Sequence, residues 1–201
     1  MDFFKRCWVE IDLDKIENNY RIIRRLLGDK KMISVVKADA YGHGVEFVAR
    51  KLSDMGTDMF AVSNMEEAHQ LWRGDVDKPI LIWGYTPPEY AEKLSELKIR
   101  QAVFSADYAK ALSDAAVKCG KEVHIHIKLD TGMGRIGFTP DEKGADAVEQ
   151  ISKMKGIYLD EDQKDFLEDI AIDNRQAIEM TDIYSNILSG MMDAFASVIS
   201  N

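Results

Sequence analysis

The sequence predicts an α/β protein built on a parallel sheet, and three observations lead there. Short β-branched or apolar runs alternate with longer amphipathic stretches over residues 1–160 of the 201-residue chain, the pattern that βα units produce. Ser34-Val35-Val36 and Ile80-Leu81-Ile82 are apolar without alternation, as expected of strands covered on both faces. The run at 123–129 instead splits by face, with His124, His126 and Lys128 on one side and Val123, Ile125, Ile127 and Leu129 on the other. Six strands suit a barrel or an open doubly wound sheet equally well. The polar face of 123–129 favours a barrel interior reaching toward a site, although edge strands alternate in the same way.

In chain order the strands are expected at 32–37, 59–63, 80–83, 101–104, 123–129 and 156–159. Helices are expected near 14–27, 45–55, 65–73, 88–97, 106–118 and 140–154. Asp14 reads as the opening of the first helix. For the last, Thr139-Pro140-Asp141-Glu142 offers an N-cap, a proline at the first helical position and acidic residues in the first turn. Beyond residue 160 the composition changes. Residues 161–201 hold nine acidic and two basic residues (Lys164 and Arg175), a net of −7 out of −9 for the chain. All four prolines, all four histidines and twelve of thirteen glycines precede that segment. It reads as one long amphipathic helix, with Ala177, Met180, Tyr184, Ile187, Met191, Ala194 and Val198 at heptad spacing and Gly190 as the weak point. Two domains are therefore expected, 1–160 and 161–201.

The net charge of −9 argues against nucleic acid as a main partner, because phosphate binding calls for clustered Lys and Arg. No apolar run approaches the roughly 18 residues of a membrane helix, and the opening MDFFKRCW lacks a secretory apolar region. Cys7 and Cys119 form neither a CxxC pair nor a disulfide-rich pattern, so a reducing cytoplasm is expected.

Three constellations could carry chemistry. In Val35-Val36-Lys37-Ala38-Asp39-Ala40-Tyr41-Gly42-His43-Gly44 a lysine ends a buried strand and a glycine-flanked loop follows. Active sites of βα barrels gather at that end. Burial there disfavours a lysine's charged form, and a neutral amine is the species that attacks an aldehyde. A solvated strand-end lysine is the alternative. In Lys128-Leu129-Asp130-Thr131-Gly132-Met133-Gly134-Arg135-Ile136-Gly137-Phe138 the glycines match GxGxxG. The helix-start signals nevertheless lie beyond the glycines, and this is about the fifth βα turn rather than the first. A loop presenting Arg135 to an anionic group is the better reading. His124 and His126 have possible metal-ligand spacing, but no motif places a third ligand, so polar lining is preferred and no metal is expected.

VVKADAYGHG and KLDTGMGRIGF together resemble the paired signatures of bacterial alanine racemases, and WVEIDLDKIENNYR (Trp8 to Arg21) is similar to that family's start. The resemblance covers residues 1 to about 160. It implies an incomplete TIM-type (β/α) barrel, about six of eight strands, followed by the C-terminal helix. It also implies a cytoplasmic isomerase that interconverts L-alanine and D-alanine, supplying D-alanine for the cell wall. The cofactor would be pyridoxal 5'-phosphate, held as a Schiff base on Lys37, which doubles as one of two catalytic bases. Tyr41 would contact the cofactor phosphate. Arg135 would face the cofactor's phenolic oxygen and the substrate carboxylate, and a carbamylated Lys128 would position Arg135. The family's second base, an opposite-face tyrosine from a partner subunit, has no counterpart here, nor does the arginine facing the pyridine nitrogen. Impaired racemisation is expected, with a homodimer or a helix-mediated oligomer as the assembly. Residues 161–201 are similar to the helix preceding the first membrane span of CorA-type magnesium transporters, without the spans, which implies a fusion or a truncated reading frame. Two alternatives stay open. One is a non-catalytic pyridoxal-phosphate-binding protein, the other an inert barrel fragment with a helical interaction tail.

Overall fold

A computed structural model describes residues 8–74, 76–159 and 179–192. Helix α1 (Leu13–Leu27) opens on Asp12, whose Oδ1 accepts from the backbone N–H of Asp14 at 2.9 Å and of Lys15 at 3.2 Å. The cap thus falls two residues before the expected Asp14, which occupies the first turn instead. Strand β1 (Ile33–Val35) follows, then a single turn α2 (Lys37–Gly42) and helix α3 (Val45–Asp54). The βα alternation continues through β2 (Met59–Val62), α4 (Met65–Arg73) and β3 (Ile80–Ile82). After a 3-10 turn at Pro88–Tyr90 come α5 (Ala91–Glu96), β4 (Ile99–Val103), α6 (Ala106–Cys119) and β5 (Val123–Ile127). Helix α7 (Glu142–Ser152) and β6 (Ile157–Tyr158) complete the series.

The six strands pair in sequence order, and every pairing is parallel. This is an incomplete (β/α) barrel, the fold class the sequence predicts, and residues 179–192 add a C-terminal helix. The register separates two faces. Phe60, Ile80 and Ile99 align on one, joined by Val62, Ile82, Gln101 and Ile125 two residues further on. This face carries the core, where Phe60, Ile82, Leu94, Ile99, Leu112 and Ile151 are essentially sealed from solvent. Removing each such side chain from water stabilises the fold by about 1.5–3 kcal/mol. Ala49, Ala68, Ala109 and Ala116, all at 0% exposure, let the helices lie close over the strands.

The opposite face is barrel interior. Val35, Ala61, Leu81 and Arg100 align across it, and Ala102 aligns with His126. The split expected at 123–129 is clear over 123–125, with Val123 and Ile125 buried while His124 is exposed; Ile127 is half-buried like His126 and Lys128, and Leu129, past the end of the strand, is exposed. An Arg100 Nη1 lies 3.3 Å from His126 Nε2, and the His124 ring meets Tyr158 edge-on at 4.8 Å. A guanidinium can only donate, so His126 Nε2 is the acceptor in that bond.

Helix α7 begins later than its sequence signals suggest. Asp141, not Thr139, is the N-cap: its Oδ1 accepts from Gly144 N–H at 2.8 Å, while Thr139 Oγ1 donates to its Oδ2 at 2.8 Å. Pro140 therefore precedes the cap. A Cβ at position 144 would collide with the Thr139 carbonyl, so the tight entry requires Gly144.

In the tail, Met180, Tyr184, Ile187 and Met191 fall within the helical 179–192 and are each more than half exposed, whereas Ala177, Ala194 and Val198 lie outside the described residues. The likeness of this segment to the pre-membrane helix of CorA-type transporters is corrected. No helix among the described residues is long and apolar enough to cross a membrane, and a span needs about 20 predominantly apolar residues.

Candidate functional site

Parallel strands bring their carboxyl ends to one rim, where (β/α) barrels hold their sites. Two groups of expected residues lie there, one after β1 and one after β5.

After β1 the chain does not enter a loop. Ala38, Asp39, Ala40 and Tyr41 have φ between 51° and 57° and ψ between 38° and 55°, a left-handed helical turn made without glycine. Each residue so placed costs about 1–2 kcal/mol, so the turn must be held from outside. Several bonds do so. Ala40 N–H donates to the Val36 carbonyl at 3.0 Å, and Gly44 N–H to the Asp39 carbonyl at 3.0 Å. Asp39 Oδ1 accepts from Val45 N–H at 2.7 Å, tying the turn to the start of α3. His43 Nδ1 meets the Ala40 carbonyl at 2.8 Å. Glu67, on the first turn of α4, accepts from Ala38 N–H through Oε1 and from Ser63 N–H through Oε2, both at 2.8 Å. The outcome is a half-buried Lys37 whose Nζ stands 5.9 Å from the centre of the Tyr41 ring, with that ring 60% exposed.

After β5 the chain runs through Lys128, half-buried, into an exposed loop carrying Arg135. Phe138 N–H donates to the Lys128 carbonyl and Asp130 N–H to the Phe138 carbonyl, both at 2.8 Å, closing the loop at its base. Gly137 makes that closure feasible: a Cβ there would stand 2.8 Å from the Lys128 carbonyl oxygen and 2.9 Å from Asp130 N, at φ +132°. The Asp130 carboxylate fills the loop, accepting from Gly132 and Gly134 N–H through Oδ1 and from Arg135 N–H through Oδ2, at 3.0–3.1 Å. Those bonds, Gly134's first, hold the Asp130 carboxyl below the usual aspartate range. The glycine-rich run thus turns its N–H groups onto an internal anion, and α7 opens only at Glu142, past the last glycine. Neither feature suits a dinucleotide pyrophosphate, which needs free N–H groups at a helix start.

The structure brings Lys37 and Tyr41 together, and it places Lys128 and Arg135 on one loop. Among the described residues no hydrogen bond or ion pair joins the two groups; they share the rim. His124 and His126 share the inner face of β5, two residues apart, while His43 lies beyond the left-handed turn and His69 stacks on Trp72 at 5.9 Å. No cluster of three or more His, Cys, Asp or Glu placed to hold a metal occurs among the described residues. Sequence reasoning missed Glu67, Asp39 and Asp130, the three carboxylates that shape the left-handed turn after β1 and the loop after β5. Only Asp130, inside a glycine-rich run, carried a local signal.

Comparison with known proteins decides the family. The alanine racemase N-terminal domain matches residues 11–161. The chain belongs to the alanine racemase family. It is 49% identical over 152 residues to an alanine racemase of Clostridium perfringens, covering 76% of this chain and 39% of that protein. An alanine racemase of Caldanaerobacter subterraneus is 35% identical over 184 residues, 91% of this chain and 47% of that one. A span that long exceeds residues 1–160, so racemase similarity reaches into the tail, a second reason to set aside the transporter likeness. Among solved structures, alanine racemase of Clostridium difficile 630 superposes with a TM-score of 0.72 at 36% identity, covering 79% of this chain and 42% of that one. The chain thus spans about two fifths of the length of the alanine racemases it matches at 49% and 36% identity.

The residues present fit pyridoxal phosphate chemically. A half-buried primary amine can condense with an aldehyde, the Tyr41 hydroxyl can donate to a phosphate, and Arg135 supplies a guanidinium for an anionic oxygen.

Proposed function

We propose that this chain provides the lysine-bearing part of a pyridoxal-phosphate-dependent alanine racemase, an isomerase acting on L- and D-alanine in the cytoplasm. The observation that carries this reading is the scaffolded Lys37, half-buried at the rim beside Tyr41.

In this reading Lys37 holds the cofactor as a Schiff base and Tyr41 donates its hydroxyl to the phosphate. The cofactor, when bound, supplies an electron sink that makes the α-proton of alanine removable. Once the amino group of alanine has displaced it from the cofactor, the freed Lys37 Nζ would take that proton from one face and return it. Arg135 fixes the substrate carboxylate and the cofactor's phenolic oxygen. Carbamylation of Lys128 would exchange a cation for an anion, and an anion at the base of this loop favours the Arg135 guanidinium. Residues 1–160 form the catalytic part and 161–201 a tail whose described part, 179–192, is helical, and the assembly is a homodimer or a helix-mediated oligomer.

One base working from one face exchanges the α-proton without inverting the centre. Incubation of L-alanine and of D-alanine, separately, with the cofactor-loaded chain in D2O, followed by NMR and chiral chromatography, should show deuterium entering one enantiomer faster than the opposite enantiomer accumulates. Lys37→Ala should show neither. Equal exchange in both proteins sinks the reading.

A further inference from the structure

We propose that Glu67 is the positioning residue for Lys37: its carboxylate clamps two neighbouring βα connections and so fixes the left-handed turn that presents Lys37 and Tyr41. This inference rests on the reading of Lys37 as the cofactor lysine.

The geometry is unusual for a glutamate at this place in a helix. Glu67 is the third residue of α4, whose N-cap Asn64 accepts from Glu67 N–H at 2.9 Å. In a capping box the glutamate at this position reaches back to the N-cap's own N–H. Here the carboxylate bypasses Asn64. One oxygen takes the N–H of Ser63, the residue directly after β2, and the other takes the N–H of Ala38, 29 residues away and directly after Lys37. Both donors are backbone groups at the catalytic rim, and each receives its own oxygen at 2.8 Å.

Ala38 is the first of the four left-handed residues. Its N–H direction is set by the Lys37–Ala38 peptide plane, so fixing that N–H fixes the carbonyl end of Lys37 and the course on which its side chain leaves the strand. The turn is unfavourable for Ala, Asp and Tyr alike, and an unfavourable backbone persists only where its surroundings over-determine it. Asp39 anchors the far end through Val45 N–H; Glu67 anchors the near end, the one next to the lysine. An amide cannot replace this carboxylate. Gln offers one acceptor oxygen, and its NH2 would face the second N–H donor to donor.

The test compares wild type, Glu67→Gln, Glu67→Asp and Lys37→Ala in two readouts. One is the yield of pyridoxal phosphate fixed to Lys37 by borohydride, read by peptide mass mapping over a cofactor titration. The other is amide hydrogen exchange at Ala38 and Ser63 without cofactor, with the β3 and α6 amides as internal reference. In Glu67→Gln we expect the cofactor concentration for half-maximal Lys37 labelling to rise about tenfold, with Ala38 and Ser63 exchanging at least about tenfold faster and the reference amides unchanged. That ratio corresponds to about 1.4 kcal/mol. Glu67→Asp, one methylene short of spanning both donors, should fall between Glu67→Gln and wild type, and it serves if Glu67→Gln does not fold. Unchanged labelling in both variants overturns the proposal, as does a uniform rise in exchange over the whole sheet. If the wild type is not labelled at Lys37, the cofactor reading fails on its own, and the exchange rates at Ala38 and Ser63 alone decide the clamp.

Discussion

At the scale of single residues, much of this rim consists of backbone placed where few residues are comfortable. Gly137 sits where a Cβ would overlap the Lys128 carbonyl and Asp130 N. Gly137→Ala should therefore cost at least about 1–3 kcal/mol, read as a lower midpoint in urea, and should free the loop that carries Arg135. At the other end of the strands, Lys98 holds φ +53° between Leu97, the C-cap of α5, and the start of β4, where a glycine would be unstrained. Lys98→Gly trades that strain against greater freedom of the unfolded chain, and a net gain of about 0.5 kcal/mol is expected from the same unfolding measurement. Asp130 adds a pH dependence. Its carboxyl is held below the usual range by the N–H groups of Gly134, Gly132 and Arg135, so the stability it contributes is full above the unfolded aspartate value of about 3.9 and is lost as pH falls through the lower folded value. Asp130→Asn should flatten the acid limb of a thermal-midpoint titration below about pH 4. An unchanged acid limb would show that the loop does not depend on that charge.

At the scale of elements, strands and helices were legible because their signals are local. The apolar run Ile80-Leu81-Ile82 is β3 itself, buried at all three positions, and the face alternation expected from 123 reappears over Val123–Ile125 of β5. Starts of α1, α3, α4, α6 and α7 were legible to within two residues, since Asp12 and Asp141 are caps that neighbouring side chains could mimic in sequence; the stretch expected from 88 opens as the 3-10 turn, and α5 starts only at Ala91. Asn64 caps α4 through Glu67 N–H, and Asn64→Ala should cost about 1 kcal/mol in chemical unfolding. The left-handed turn was not legible. Ala-Asp-Ala-Tyr has no glycine and reads as loop or ordinary helix, while the bonds that hold it left-handed come partly from Glu67, 29 residues beyond Ala38. A residue that acts through backbone groups of two other connections leaves no periodicity and no motif.

At the scale of the whole molecule, sequence resemblance supplied what pattern could not, the choice of a barrel over an open sheet. It misled in the tail. Heptad spacing and acidic charge are common to many amphipathic helices, so they do not single out a transporter helix, and 179–192 is neither long nor apolar enough to cross a membrane. Among the described residues β1 and β6 each pair on one side only, and open edges of this kind invite pairing with another chain. Sedimentation velocity should accordingly show self-association that grows with protein concentration; a strictly monomeric species at every concentration would mean the edges are covered.

Whether Lys37 is the cofactor lysine is decided by incubating the whole chain with pyridoxal phosphate, reducing with borohydride and mapping the peptides by mass, with Lys37→Ala in parallel. Reduced cofactor is expected on Lys37 at low stoichiometric excess and is expected to be lost in Lys37→Ala, with no compensating label elsewhere. Label scattered over exposed lysines, or equal in the two proteins, would contradict it.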